Sequence, residues 1–186
     1  MADTSFLLAL EFTLAAEGGF SDDPHDPGGA TMQGITLAEF RKYTGNQAAT
    51  VAELRAITPM LRDAIYRDDY WGPSYATRLP PGVDLSVFDM GVNAGPLTSV
   101  KILQSELAVP ADGLVGPITL MAVSRNMPDL IGWLETGQER YYRSLSGFRY
   151  FGRGWISRAR ARMQAAQALS MMMTLARPGQ AVEGNS

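Results

Sequence analysis

Residues 17 to 36 read EGGFSDDPHDPGGATMQGIT, and this run restricts the fold more than any other part of the chain. Its glycines, prolines and aspartates favour turns over regular elements, because glycine reaches left-handed backbone conformations and proline fixes φ and removes a donor. The sequence on both sides has helical spacing. A helical chain must therefore stop just after Glu17, turn back on itself, and resume near Thr36. No alternation of period two runs long enough elsewhere for a substantial sheet. The expected fold class is mainly α, a helical fold with a small β-hairpin inside residues 20 to 36.

The helices announce themselves by their starts and stops. Residues 5 to 17 predict a first helix, with Ser5 as its cap, a stripe of Leu7, Leu10 and Leu14, and Gly18 and Gly19 as its end. TLAE at 36–39 and TVAE at 50–53 each have capping-box spacing, with Thr36 paired to Glu39 and Thr50 to Glu53. Thr58 followed by Pro59 opens a helix over 58–71, and LPPG at 79–82 interrupts the pattern. Apolar VDLSVFDMGVNAG at 83–95 predicts a buried helix, followed by another over about 98–108. After the turn-rich PADGLVGP, Pro117 opens a helix, Pro128 precedes a separate one reaching about Leu145, and a last helix covers 154–177. PGQAVEGNS reads as a flexible tail over 178–186.

Composition excludes several classes of function. With 186 residues and 46% hydrophobic positions, the chain is long enough for a sizeable core. A net charge of −3 and a pI near 5.2 leave no electrostatic footprint for nucleic acid. The absence of cysteine removes disulfides, thiolate metal sites and cysteine nucleophiles. His25 is the one histidine, so zinc-hydrolase patterns that need two imidazoles are excluded, and no nucleophile elbow accompanies it. The apolar stretch from Phe6 to Ala16 is too short to span a bilayer, and Asp3 and Glu11 do not suit a signal peptide. The expectation is a protein made in the cytoplasm without its own export signal and without stable membrane insertion.

Glu17 is three residues beyond Leu14 and seven beyond Leu10, so on a helix it continues the apolar stripe. Burial there, at the negative end of the helix dipole, disfavours the ionised carboxylate. A neutral carboxylic acid is the form a glycosidase uses to protonate a departing sugar oxygen. The alternative is a helix end that points into water. Asp22, Asp23 and Asp26 offer second carboxylates on the turn that follows, where turn capping is their ordinary role. A second carboxylate either activates water across the ring or attacks as nucleophile, depending on separation.

AAEGGFSDDPHDPGGATMQGIT resembles the start of the glycoside hydrolase family 108 N-acetylmuramidases, whose glutamate sits in an EGG-aromatic motif followed by DPGG-x-T-x-x-GI. The resemblance implies that Glu17 is the catalytic acid. The arrangement is also similar to phage-type lysozymes, in which an aspartate nine residues on and a threonine position the water. Asp26 falls at that aspartate's spacing, and Thr31 is the threonine candidate, one residue earlier than the phage-type pattern. AIYRDDYWGPSYATRLPPGVDLSVFDMGVNAGP at 64–96 and KILQSELAVPADGLVGPITL at 101–120 are similar to the peptidoglycan-binding region of that family, and FGRGWISR at 151–158 to its closing segment. The implied organisation is a muramidase lobe over 1–80, a helical peptidoglycan-binding lobe packed on it over 81–177, and the tail.

Other residues have a bland and a sharp reading. Tyr66, Tyr70 and Trp71 have helical spacing, so they either pack in a core or form a sugar-stacking platform, with Tyr66 and Trp71 the substrate-binding candidates. Asp89, Asn93 and Gln104 lie in apolar helices and need hydrogen-bond partners; Asn93, just before the break at Gly95, is the candidate for glycan contact. Arg158, Arg160 and Arg162 are expected to be solvated on a last helix whose methionines pack on the core.

What the resemblance implies is a cofactor-free, metal-free peptidoglycan hydrolase of the lysozyme or endolysin type. It would cleave the β-1,4 bond between N-acetylmuramic acid and N-acetylglucosamine. Its partners would be glycan strands of the bacterial wall, reached as a monomer through a separate holin or delivery machinery. A non-catalytic peptidoglycan binder or phage structural protein, and a lytic transglycosylase, are the alternatives.

Overall fold

The computed structural model describes residues 2–22 and 29–175, and the tail lies outside them. The fold is mainly α, with one small antiparallel sheet. Helix α1 (Ala2–Glu17) leads into strands β1 (Phe20–Ser21), β2 (Thr31–Met32) and β3 (Ile35–Thr36), which pair in the order β1-β2-β3. Ser21 pairs with Thr31 and Thr31 with Thr36, while Met32 faces Ile35 across a two-residue turn. Gln33 and Gly34 in that turn have φ of 50° and 80°, the type I′ pattern that suits the twist of paired strands.

Short helices follow. α2 (Leu37–Thr44) and α3 (Val51–Arg55) both start with the expected capping boxes, Thr36 with Glu39 and Thr50 with Glu53. α4 (Pro59–Tyr66) starts at Thr58, whose hydroxyl accepts from the Leu61 amide, and then widens into a π-helical turn over Arg67–Trp71. α5 (Val83–Ala94) is the centre of the molecule, with every residue from Val83 to Gly91 buried. α6 (Pro96–Glu106), α7 (Pro117–Ser144) and α8 (Phe148–Leu175) complete the fold. One apolar core runs from Phe6 on α1 through Phe88 on α5 and Leu134 on α7 to Leu169 on α8.

Several sequence expectations are corrected. α1 begins before Ser5, which is buried inside it and donates its hydroxyl to the Asp84 carboxylate instead of capping a backbone amide. The buried face of α1 is Phe6, Ala9, Leu10 and Thr13; of the expected stripe Leu10 is in the core, Leu14 packs against it, and Leu7 is 53% exposed. Pro128 does not separate two helices. The backbone of α7 is helical through it, held between α6 and α8, with Val123 before it and Leu130, Ile131 and Leu134 after it all in the core. Burial of several large side chains, each contributing about 1.5–3 kcal/mol, offsets the cost of an interior proline, about 3 kcal/mol. α8 likewise starts at Phe148, ahead of the expected 154.

Tyr66 and Trp71 are core. Trp71 stacks edge-on against Phe6 and Phe88, each with centroids 5.3 Å apart, and Tyr66 meets Phe88 edge-on at 6.3 Å. Trp71 is 2% exposed, so its ring presents no open face to a sugar. Packing is the role the structure gives it.

Candidate active site

Glu17 is the last residue of α1, and the glycine pair behind it turns the chain straight into the sheet; Gly18 has φ of 74°. The β2–β3 turn then comes back over the glutamate. A Cβ at Gly34 would stand 2.9 Å from Glu17 Cγ and 2.5 Å from Tyr66 Oη, so only glycine allows this approach. Three bonds fix the turn there. Gln33 donates its amide to the Gly19 carbonyl at 3.2 Å, Tyr66 Oη donates to the Gln33 carbonyl at 2.8 Å, and Arg62 donates to Gln33 Oε1 at 3.2 Å. Burial, and after it the charge of Glu17, pushes the Tyr66 phenol above its ordinary pKa, which keeps it a donor.

The sheet's other end is tied to the core. Glu39 closes the capping box with Thr36 and also accepts from Tyr70 Oη, so β3, α2 and the π-helical turn are tied together. Thr31 is half-buried on the middle strand, between Ser21 and Thr36. Asp26 and His25 fall outside the described residues, with their segment entered at β1 and left at β2.

Glu17 is not a lone carboxylate on an apolar stripe. Arg158 on α8 reaches it, Nη1 to Oε1 at 2.6 Å. The same guanidinium grips Asp89 with its other two nitrogens, Nη2 to Oδ1 at 2.7 Å and Nε to Oδ2 at 3.2 Å. Asp89 is fully buried on α5 and also accepts from Thr13 Oγ1 at 2.8 Å and from Arg162 Nε at 2.7 Å. Burial opposes its ionisation, but Arg162 and Arg158 outweigh that and hold its carboxyl below the usual range. Arg162, 1% exposed, donates further to Gln138 and to Tyr142 Oη.

The expectation of solvated arginines is therefore corrected for two of the three. Arg160 is exposed, whereas Arg158 and Arg162 point inward. Their i, i+4 spacing placed them on one face, and Ala159, Ala166 and Leu169 mark that face as buried. Asp89 was the complementary signal, a charge inside an apolar helix that requires a cation.

Asn93 sits one turn beyond Asp89, exposed, with its amide donating to the Asp89 carbonyl at 2.7 Å. Gln104 is a structural clamp. Its amide donates to Asp112 at 2.7 Å and to the Leu114 carbonyl at 3.0 Å, and its oxygen accepts from the Gly113 amide at 2.7 Å, which shapes the DGLVGP turn. Among the described residues, no group of three or more histidines, cysteines or carboxylates is arranged to hold a metal ion, and no helix is long and apolar enough to cross a membrane.

The glycosyl hydrolase 108 family model matches residues 10–95, from α1 to the end of α5. A second family model, described as a predicted peptidoglycan domain, matches residues 98–160, from α6 into α8. The structure of SagA from Brucella abortus is similar across 90% of this chain and 97% of that one, with 37% sequence identity and a TM-score of 0.81. No curated protein sequence matches the chain. With the two regions in order and SagA matched along nearly its whole length, the chain belongs to the glycosyl hydrolase 108 family, a glycoside hydrolase directed at peptidoglycan with a peptidoglycan domain following its hydrolase region.

Proposed function

We propose that the protein is an N-acetylmuramidase that hydrolyses the β-1,4 bond between N-acetylmuramic acid and N-acetylglucosamine, with Glu17 as general acid. The observation that carries this reading is the setting of Glu17. It ends a helix beneath a glycine turn, half-buried, inside the segment that the glycosyl hydrolase 108 model matches. Glu17 gives its proton to the departing sugar oxygen as the bond to the anomeric carbon breaks. Asp26 orients or activates the water that adds to that carbon, and Thr31 assists it. Asn93 is the glycan-contact candidate on the rim of α5.

The protein acts on the cell wall as a monomer, reaching it through a separate holin or delivery machinery. Digestion of purified peptidoglycan followed by mass analysis of the fragments tests the chemistry. A muramidase leaves reducing N-acetylmuramic acid ends. Anhydro ends would assign it instead as a lytic transglycosylase, and the absence of fragments would leave only a binder. Glu17→Gln is expected to remove fragment release in a variant that still folds, and a folded variant with undiminished release overturns the role of Glu17.

A further inference from the structure

Glu17 and Arg158 come from different family regions. The glutamate lies in the hydrolase match over 10–95, and the arginine lies in the peptidoglycan-domain match over 98–160. Yet the two side chains form an ion pair at 2.6 Å, with the arginine 16% and the glutamate 21% exposed. An arginine that merely closed a surface contact would be free to sample rotamers. This one is not.

Its fork is locked by Asp89, which has no exposure and binds Nε and Nη2 together. Asp89 is locked in turn by Thr13 and Arg162. Thr13 stands one turn before Glu17 on the same face of α1. The chain of contacts Glu17, Arg158, Asp89 and Thr13 thus closes a ring that returns to the helix it started from. That ring fixes where Nη1 is, and Nη1 fixes Glu17 Oε1.

We propose that Arg158 is a positioning residue for Glu17, supplied by the peptidoglycan domain, so that this region completes the catalytic centre as well as contacting the wall. The inference rests on Glu17 as the general acid. A guanidinium only donates, so the glutamate oxygen it touches must act as an acceptor. In the protonated acid that the reaction requires, the transferable proton is carried by the other oxygen, Oε2. Arg158 selects that oxygen and its direction, and a misdirected acid loses rate even when substrate binds normally.

The test is turnover of soluble, un-crosslinked peptidoglycan strands by the full-length protein, comparing wild type, Arg158→Met, Arg158→Lys and Glu17→Gln, with thermal unfolding measured alongside. Methionine keeps the apolar stem without the fork. Lysine keeps a charge for Asp89 but, as a single point donor, does not hold both carboxylates in a planar fork. The expected result is a kcat at least tenfold lower in folded Arg158→Met with KM within twofold of wild type. Arg158→Lys is expected to recover part of that loss. A folded Arg158→Met with kcat within twofold of wild type overturns the proposal, as does a loss confined to KM. If Arg158→Met does not fold, Arg158→Lys decides: a kcat more than twofold lower at unchanged KM supports positioning, and a kcat within twofold of wild type refutes it. Glu17→Gln separates the two readings. Full activity in that variant overturns the role of Glu17 itself, whereas an inactive Glu17→Gln beside a fully active Arg158→Met overturns the role of Arg158 alone.

Discussion

Tyr66 donates its phenolic hydrogen to the Gln33 carbonyl at 2.8 Å, and through that bond a buried core residue sets the height of the hairpin turn above Glu17. The turn and the glutamate are in contact only because position 34 has no Cβ.

Gly34→Ala is therefore expected to damage activity more than its size suggests. The added carbon falls inside contact distance of both Glu17 and Tyr66, at a φ of 80° where an L-residue is strained by about 1–2 kcal/mol. Urea unfolding should register a loss of at least that size. Release of glycan fragments should fall at least tenfold, because the turn must lift or Glu17 must swing away. Wild-type turnover in a folded Gly34→Ala would show that the turn does not constrain the acid.

Asp89→Asn should be among the most destabilising single substitutions. It removes the negative charge shared by Arg158 and Arg162, leaving two guanidinium groups deep in the protein with less compensation. Breaking a buried ion pair from one side costs about 3–5 kcal/mol. Chemical denaturation should show a lower midpoint with an unchanged slope, as expected when the folded state alone is affected. A loss under about 1 kcal/mol would contradict the buried-pair description.

Asp84 provides a pH signature. Burial raises its pKa from 3.8 to about 6, against the bonds from Ser5 and from the Leu85 and Gly82 amides. Between those two values the folded state keeps a proton that the unfolded chain has released, so stability from this group is full below pH 3.8 and is lost as pH rises through about 6. The difference amounts to about 3 kcal/mol at 1.36 kcal/mol per pKa unit. Asp84→Asn should remove this component, so that the gap in unfolding free energy between wild type and variant changes from pH 4 to pH 7. A gap that stays constant across that range would show that Asp84 titrates normally. Asp89 acts in the opposite direction and at lower pH, since its carboxyl is held below the usual range and its contribution disappears only on acidification.

Gln104→Ala tests the peptidoglycan domain apart from the acid. It leaves the Gly113 amide and the Asp112 carboxylate without their buried partner, a loss of about 1–3 kcal/mol. The DGLVGP turn should loosen, read as faster amide hydrogen exchange over residues 112–116. Unchanged exchange there would mean the turn's own glycine and proline hold it.

Much of the local structure is legible in the sequence because it depends on neighbours. The capping boxes at Thr36 and Thr50, the Thr58–Pro59 start and the glycine stop after Glu17 each involve residues within a few positions, and each forms where the spacing places it. Pro128 misleads for the same reason, since its local effect is outweighed by packing from helices distant in sequence. Ser5 likewise has a cap's chemistry but answers to Asp84 on another helix.

The order of residues along the chain is enough to read a mainly α protein, a helix that breaks after Glu17, and the family's motif in the broken segment. What surrounds that glutamate follows from the packing of distant helices. A carboxylate's setting depends on charges a few ångströms away, and the decisive one, Arg158, arrives from the last helix by way of Asp89. Helical periodicity assigns a residue to a face but does not say which partner that face will meet, because that follows from how α1, α5 and α8 pack together.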